Sequence, residues 1–172
     1  LVSVAKAPAP EKCFGEKSLT DQDNRFGVAI DIGTTTLAFS LVQLAGGRVI
    51  DTYTAVNSQR PLGADVLSRM QAANAGKSKQ LRVLAQKDIL HGLQTLLKRN
   101  CLYPALLSEI VIAANTVMLH LLRGYSCEGL SRHPFTPVTL NMEELSLSEL
   151  FAGLPQGISL PCAQEQIKAT LL

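Results

Sequence analysis

The segment Asp31-Ile32-Gly33-Thr34-Thr35-Thr36 gathers the residue types best suited to chemistry on a phosphate group. Glycine has no Cβ, so the backbone at Gly33 can turn sharply and approach a ligand closely. The amides and threonine hydroxyls that follow can converge on one anion, the arrangement of a phosphate nest. A carboxylate beside such a nest, here Asp31, can hold a hydrated Mg²⁺. That ion prefers one or two carboxylates, with water and phosphate oxygens in its other positions. The same six residues also suit an ordinary hairpin with a polar turn, and spacing alone leaves both readings open.

Asn115 stands between an apolar run and a helical pattern. Capping that helix is the ordinary task for Asn there. Orienting a water in a cleft is the catalytic alternative, and the two can coexist. Asp65 and Arg69 lie four apart and can pair along a helix. His120, inside Met118–Leu122, reads either as a hydrogen-bonded core or boundary histidine or as a metal or cobalt ligand. Lys77, Lys79, Arg82 and Lys87 form a solvated helix face that an acidic partner can also use.

These residues need elements to position them. Phe26–Asp31 is a short apolar run of strand formers, Thr35–Leu44 a second, and Arg48–Val56 a third after Gly46-Gly47, predicting an antiparallel meander. Gly63–Ala73 and Ser78–Lys98 read as helices, the longer with Ala85, Ile89, Leu93 and Leu96 on one face. Glu109–Ala114 reads as a buried strand and Thr116–Arg123 as a helix stopped by Gly124. Beyond Pro134 and Pro137, a helix is expected over Glu143–Phe151, a strand over Ile158–Leu160 and a helix over Ala163–Leu172. The order βββαβα, followed by a small β and helices, predicts an α/β domain with a mixed sheet. Neither GxGxxG nor GxxxxGK[ST] occurs, so the two standard glycine-rich nucleotide loops are excluded.

With 47% hydrophobic and 17% charged residues, the chain describes a globular core, not a disordered tail. A net charge of +2 gives no electrostatic case for nucleic acid. The apolar stretches are too short or too interrupted to span a bilayer, so no membrane partner is expected. Cys13, Cys101, Cys127 and Cys162 are widely separated, without CxxC or Cys/His spacing. That pattern predicts reduced structural thiols and a cytoplasmic home rather than a local iron–sulfur or zinc site. Residues 1–25 read as a linker or domain entry, and the start at Leu1 as part of something longer.

The Asp-x-Gly-Thr-Thr segment between two strands resembles the first phosphate motif of the actin, heat-shock chaperone and sugar-kinase superfamily. Asn57-Ser58-Gln59-Arg60-Pro61-Leu62-Gly63-Ala64-Asp65-Val66-Leu67-Ser68-Arg69 resembles the pattern N-x-Q-x-x-x-G-x-D-V-x-S-R. That pattern belongs to the ATP-dependent reductive activators of corrinoid proteins. Ala114-Asn115-Thr116 to Gly124, with Pro134-Phe135-Thr136-Pro137 after it, resembles another stretch of the same proteins. The three ordered motifs cover about residues 26–137.

The resemblance implies a ribonuclease H-like, actin-like ATPase lobe over residues 26–172, with the second lobe absent. It implies ATP and Mg²⁺ as ligands, bound weakly or not at all by one lobe. Asp31 and Asn115 would be catalytic, with Asp31 also holding Mg²⁺ through water. Gly33, Thr34, Thr35 and Thr36 would bind phosphate. Asn57, Gln59, Arg60, Gly63 and Asp65 would form a cleft or partner-facing surface. The expected partner is a corrinoid methyltransferase protein, returned from Co(II) to Co(I). The electron would come from an iron–sulfur cluster in a ferredoxin domain that, like the second lobe, lies outside this sequence. The fragment itself is expected not to be catalytic. Two alternatives stand beside this. One is a kinase or dehydratase activator of the same superfamily; the other is a non-catalytic interaction or regulatory lobe of the same fold.

Overall fold

The computed structural model describes residues 25–154 and 167–172. Strand β1 (Phe26–Ile32) alternates Val28, Ile30 and Ile32, all buried, with exposed Ala29 and Asp31. That period of two lets one face pack while the other stays open. Antiparallel β2 (Thr36–Gln43) and β3 (Arg48–Val56) complete the meander, joined through Gly47 at φ 63°, a conformation that favours glycine.

The chain then crosses over the sheet. Helix α1 (Val66–Ala72) runs through a π turn at Ala73–Lys77, kinked at Gly76, into the 22-residue α2 (Ser78–Arg99). Strand β4 (Leu107–Ala114) returns parallel to β1, and α3 (Thr116–Arg123) follows, ending at Gly124 with φ 77°. Short β5 (Glu143–Ser146), one helical turn α4 (Leu147–Leu150) and β6 (Lys168–Leu171) complete a six-stranded mixed sheet of order β3-β2-β1-β4-β6-β5.

The core lies between the sheet and the helical layer. Leu81, Ala85, Ile89, Leu93 and Leu96 of α2 are buried against it, as are Met118, Leu121 and Leu122 of α3. Each such large apolar side chain contributes about 1.5–3 kcal/mol by leaving water. Gly92 lets α2 settle onto β2, because a Cβ there would collide with the Phe39 ring. On the opposite face Ala29, Asp31, Ala38, Thr54 and Ala113 are exposed, and no described helix covers them.

The α/β class and mixed sheet agree with expectation, but the C-terminal elements need correction. Glu143–Phe151 is not one helix. Its first residues pair antiparallel with β6, and a capping box between Ser146 and Glu149 starts the helix only at Leu147. The helix expected over Ala163–Leu172 is replaced, where described, by β6. Ala169 and Leu171 are buried and alternate with Lys168 and Thr170, a period of two that pairs with β4 and β5. The expected strand Ile158–Leu160 and nearly all of the expected linker at 1–25 lie outside the described residues.

Candidate phosphate-binding site

Asp31, Gly33 to Thr36 and Asn115 come together where the C-terminal ends of parallel β1 and β4 meet. The register pairs Asp31 with Ala113 and Ile32 with Ala114. In open α/β sheets this carboxyl edge is where ligands bind. Asp31 is exposed, and its cross-strand neighbours on both sides are alanines, Ala38 and Ala113. Small neighbours leave room around the carboxylate for a hydrated cation. Among the described residues no group of three or more His, Cys, Asp or Glu gathers. One carboxylate with open space suits Mg²⁺ held through water better than an all-protein cage.

The turn from Gly33 to Thr36 is held by its carbonyl groups. The Gly33 carbonyl accepts from Asn57 Nδ2 at 2.8 Å. The Thr34 carbonyl accepts from Arg69 Nη2. The Thr35 carbonyl accepts from the Asn57 amide at 2.9 Å, and the Thr36 carbonyl from the Gly33 amide at 3.0 Å. The last contact requires glycine, since a Cβ on Gly33 would lie 2.8 Å from the Thr36 oxygen. All four acceptors therefore face protein donors. Among the described residues no acceptor takes the amides of Thr34 and Thr35, and no partner takes the three threonine hydroxyls. Donors left over at an exposed turn are what an anion needs.

The donors that tie the turn are themselves fixed. Asn57 and Gln59 are buried, at 1% and 0% exposure. The Gln59 amide donates to Asn57 Oδ1 at 2.9 Å, its Nε2 donates to the Leu81 carbonyl at 2.9 Å, and its Oε1 accepts from Arg69 Nη1 at 3.1 Å. Arg69, fully buried, also donates from Nε to the Gly63 carbonyl at 2.9 Å. Burial pushes its pKa below the ordinary arginine value, and Asp65 opposes that shift. A guanidinium satisfied by neutral oxygens leaves a net positive charge directly behind the turn.

The geometry revises the expected roles of Asn57–Asp65. Asn57 and Gln59 cannot face a partner, because burial turns their amides inward as braces. Arg60 and Asp65 are exposed and Gly63 is half-buried. A Cβ on Gly63 would lie 2.5 Å from the Arg69 amide nitrogen, so Gly63 lets the chain pass close to α1. Asp65 does not pair with Arg69. It caps α1, accepting from the Ser68 amide at 2.8 Å, and these bonds hold its carboxyl below the usual range. Arg69 was outside the expected site, and its only signal was its place at the end of the thirteen-residue motif.

Asn115 caps α3, its Oδ1 accepting from the Val117 amide at 2.9 Å. Its Nδ2 has no partner among the described residues, so a donor remains available at the strand ends. His120 is a hydrogen-bonded core residue: Nδ1 lies 2.8 Å from the Thr116 carbonyl, and Nε2 accepts from the Val138 amide at 3.0 Å. The acceptor role fixes the proton on Nδ1, and neither nitrogen is left to ligate a metal. Cys127 is buried, and burial raises its thiol pKa; Cys101 is exposed. Cys13 and Cys162 fall outside the described residues. No described helix is long and apolar enough to cross a membrane.

A family model described as RACo middle region matches residues 26–163. The chain belongs to this family. The match contains both the carbonyl-tied turn and the Asn57–Arg69 braces. The chain is also 25% identical over 114 residues to the corrinoid activation enzyme RamQ of Eubacterium limosum. That alignment covers 64% of this chain and 19% of the relative. A solved structure described as a reductive activator for corrinoid, iron–sulfur protein superposes with a TM-score of 0.76 at 27% identity. It covers 89% of this chain and 23% of that one. The RACo middle-region chain thus spans about a fifth of each relative's length.

Proposed function

We propose that this chain is the nucleotide-binding lobe of an ATP-dependent reductive activator, one that returns an inactive Co(II) corrinoid protein to Co(I). The observation that carries the reading is the turn Gly33–Thr36, whose carbonyls all accept from protein donors while the Thr34 and Thr35 amides have no acceptor among the described residues. Relatives described as corrinoid activators support the wider role.

In this reading the free amides and threonine hydroxyls bind phosphate oxygens, and the buried Arg69 charge adds attraction behind them. Asp31 holds Mg²⁺ through water, and the ion neutralises phosphate charge. Asn115 offers Nδ2 to a water or phosphate oxygen while its Oδ1 keeps α3 capped. The partner is a corrinoid methyltransferase protein in the cytoplasm, and the electron comes from an iron–sulfur domain outside these residues. The superfamily's second phosphate loop and adenosine segment are not among the 172 residues either. Binding by this lobe alone is therefore weak, and it does not hydrolyse ATP.

Calorimetric titration with Mg-ATP, beside the Asp31→Ala variant, tests the reading. Amide NMR shifts at Gly33–Thr36 locate the ligand. Weak, saturable binding at that turn, lost in the variant, is expected. No binding at millimolar nucleotide, or binding indifferent to Asp31, would overturn it.

A further inference from the structure

On the helical side of the sheet lies a cleft of about 780 Å³, lined by Gly76, Ser78, Lys79, Arg82, Gly124 and Gly153 among others. The phosphate turn contributes nothing to it. Among the described residues its charged lining groups are Lys79 and Arg82, with no carboxylate beside them.

Arg82 makes no hydrogen bond or ion pair among the described residues, and its Nε–H is buried without an acceptor. Burial lowers its pKa, and the charge that acts on it, Arg123, repels it. Arg123 already has its counter-ion, with Nε 2.6 Å from Glu143 Oε2. Arginine cannot shed its proton to escape such a position. A partly buried cation with no counter-charge is costly unless something supplies one.

The walls keep the guanidinium open. A Cβ on Gly124 would lie 3.2 Å from Arg82 Cδ and Nη1. One on Gly153 would lie 3.3 Å from Arg82 Cδ and Nε, and 2.6 Å from Gln86 Oε1. Gln86 is fully buried, and its Nε2 donates to the Leu150 carbonyl at 2.5 Å, so Oε1 is fixed in place without a donor. An unpaired donor and an unpaired acceptor thus sit together beside Gly153.

We propose that this cleft is an oxyanion site, taking a carboxylate or a phosphate group on Arg82, with Lys79 at its rim. A protonated oxygen of the ligand, or a water it carries, supplies the donor for Gln86 Oε1. The site is independent of the phosphate turn.

Two-dimensional NMR of the 172-residue chain tests this, with sodium phosphate and sodium acetate titrated at constant ionic strength held by sodium chloride. Saturable shifts are expected at Arg82 Nε–H and at the Gly124 and Gly153 amides. Affinity is expected to fall at least about tenfold in Arg82→Gln, the loss of about 1.4 kcal/mol. It is expected to fall several-fold in Lys79→Gln, whose exposed side chain is not needed for folding. Response to phosphate alone would mark a phosphorylated ligand, and response to acetate as well a carboxylate. Shifts that chloride reproduces, that never saturate, or that persist unchanged in both variants would overturn the proposal. If Arg82→Gln does not fold, Lys79→Gln decides alone. Resonances of Gly33–Thr36 report the other site separately, so failure at one is not failure at the other.

Discussion

Asn57 Nδ2 donates to the carbonyl of Gly33, twenty-four residues earlier, at 2.8 Å, while the Asn57 backbone amide holds the carbonyl of Thr35. One buried residue at the end of the third strand thereby sets the shape of the turn between the first two. Asn57→Ala is expected to cost about 1–3 kcal/mol, the penalty for leaving buried partners unpaired. Asn57→Asp is expected to be worse at neutral pH, because a carboxylate oxygen would face the Gly33 carbonyl. It should recover as the pH falls, since a protonated carboxyl can donate there. Urea unfolding at neutral and acidic pH distinguishes the two variants.

Arg69→Lys keeps the charge and loses the fork that reaches Gly63, Gln59 and Thr34 together. Hydrogen bonds to charged groups are each worth about 1.5–3 kcal/mol, so a comparable loss of stability is expected. Mg-ATP affinity should fall with it, even though no ligand touches the side chain. Unchanged affinity in a folded Arg69→Lys protein would remove Arg69 from the positioning role.

Gly33→Ala acts more locally. Its Cβ would stand 2.8 Å from the Thr36 carbonyl oxygen, and only a shift of the turn relieves the contact. The expected result is a loss of stability on the order of 1–3 kcal/mol, seen as a lower melting temperature, with nucleotide binding lost. Thermal denaturation paired with the calorimetric titration separates these effects.

Gly92→Ala tests the packing of α2 on the sheet. The added methyl would meet the Phe39 ring, and overpacking a close-fitting core costs about 1–3 kcal/mol. Phe39→Leu in the same chain should return part of that loss. A double-mutant cycle measures the coupling.

Asp65 caps α1, Glu149 completes the capping box of α4 by accepting from the Ser146 amide, and backbone hydrogen bonds hold both carboxyls below their ordinary values. A carboxylate depressed in the folded state contributes stability above its unfolded pKa, about 3.9–4.3. That contribution disappears as the pH falls through the folded value. Asp65→Asn keeps an acceptor at the cap without the titration. It is therefore expected to lose less stability than the parent chain between neutral pH and strong acid, as followed by circular dichroism.

Much of the fold was legible along the chain. The short apolar run Phe26–Asp31 announced β1, and Ala85, Ile89, Leu93 and Leu96 announced α2 by falling on one helical face. Gly124 marked the end of α3, and Asn115 its start. These features depend on neighbours within a few residues, so local patterning carries them. Glu143–Phe151 and the C-terminal residues misled because short segments with mixed patterns take their form from the strand beside them, and that strand is remote in sequence.

The sequence by itself determined the α/β class, the polar turn between the first two strands at Asp31–Thr36 and the resemblance that the RACo middle-region match bears out. It could not show that Asn57, Gln59 and Arg69 are braces, because polar residues in a motif look alike whether they face solvent or a carbonyl. Only the tertiary structure decided that, by burying them: Arg69 reaches Thr34 across 35 residues and Gln59 reaches Leu81 across 22. Inside the fold an unpaired polar group is costly, so each side chain had to find an acceptor, and those within reach were the turn, α2, the Gly63 carbonyl and Gln59 itself.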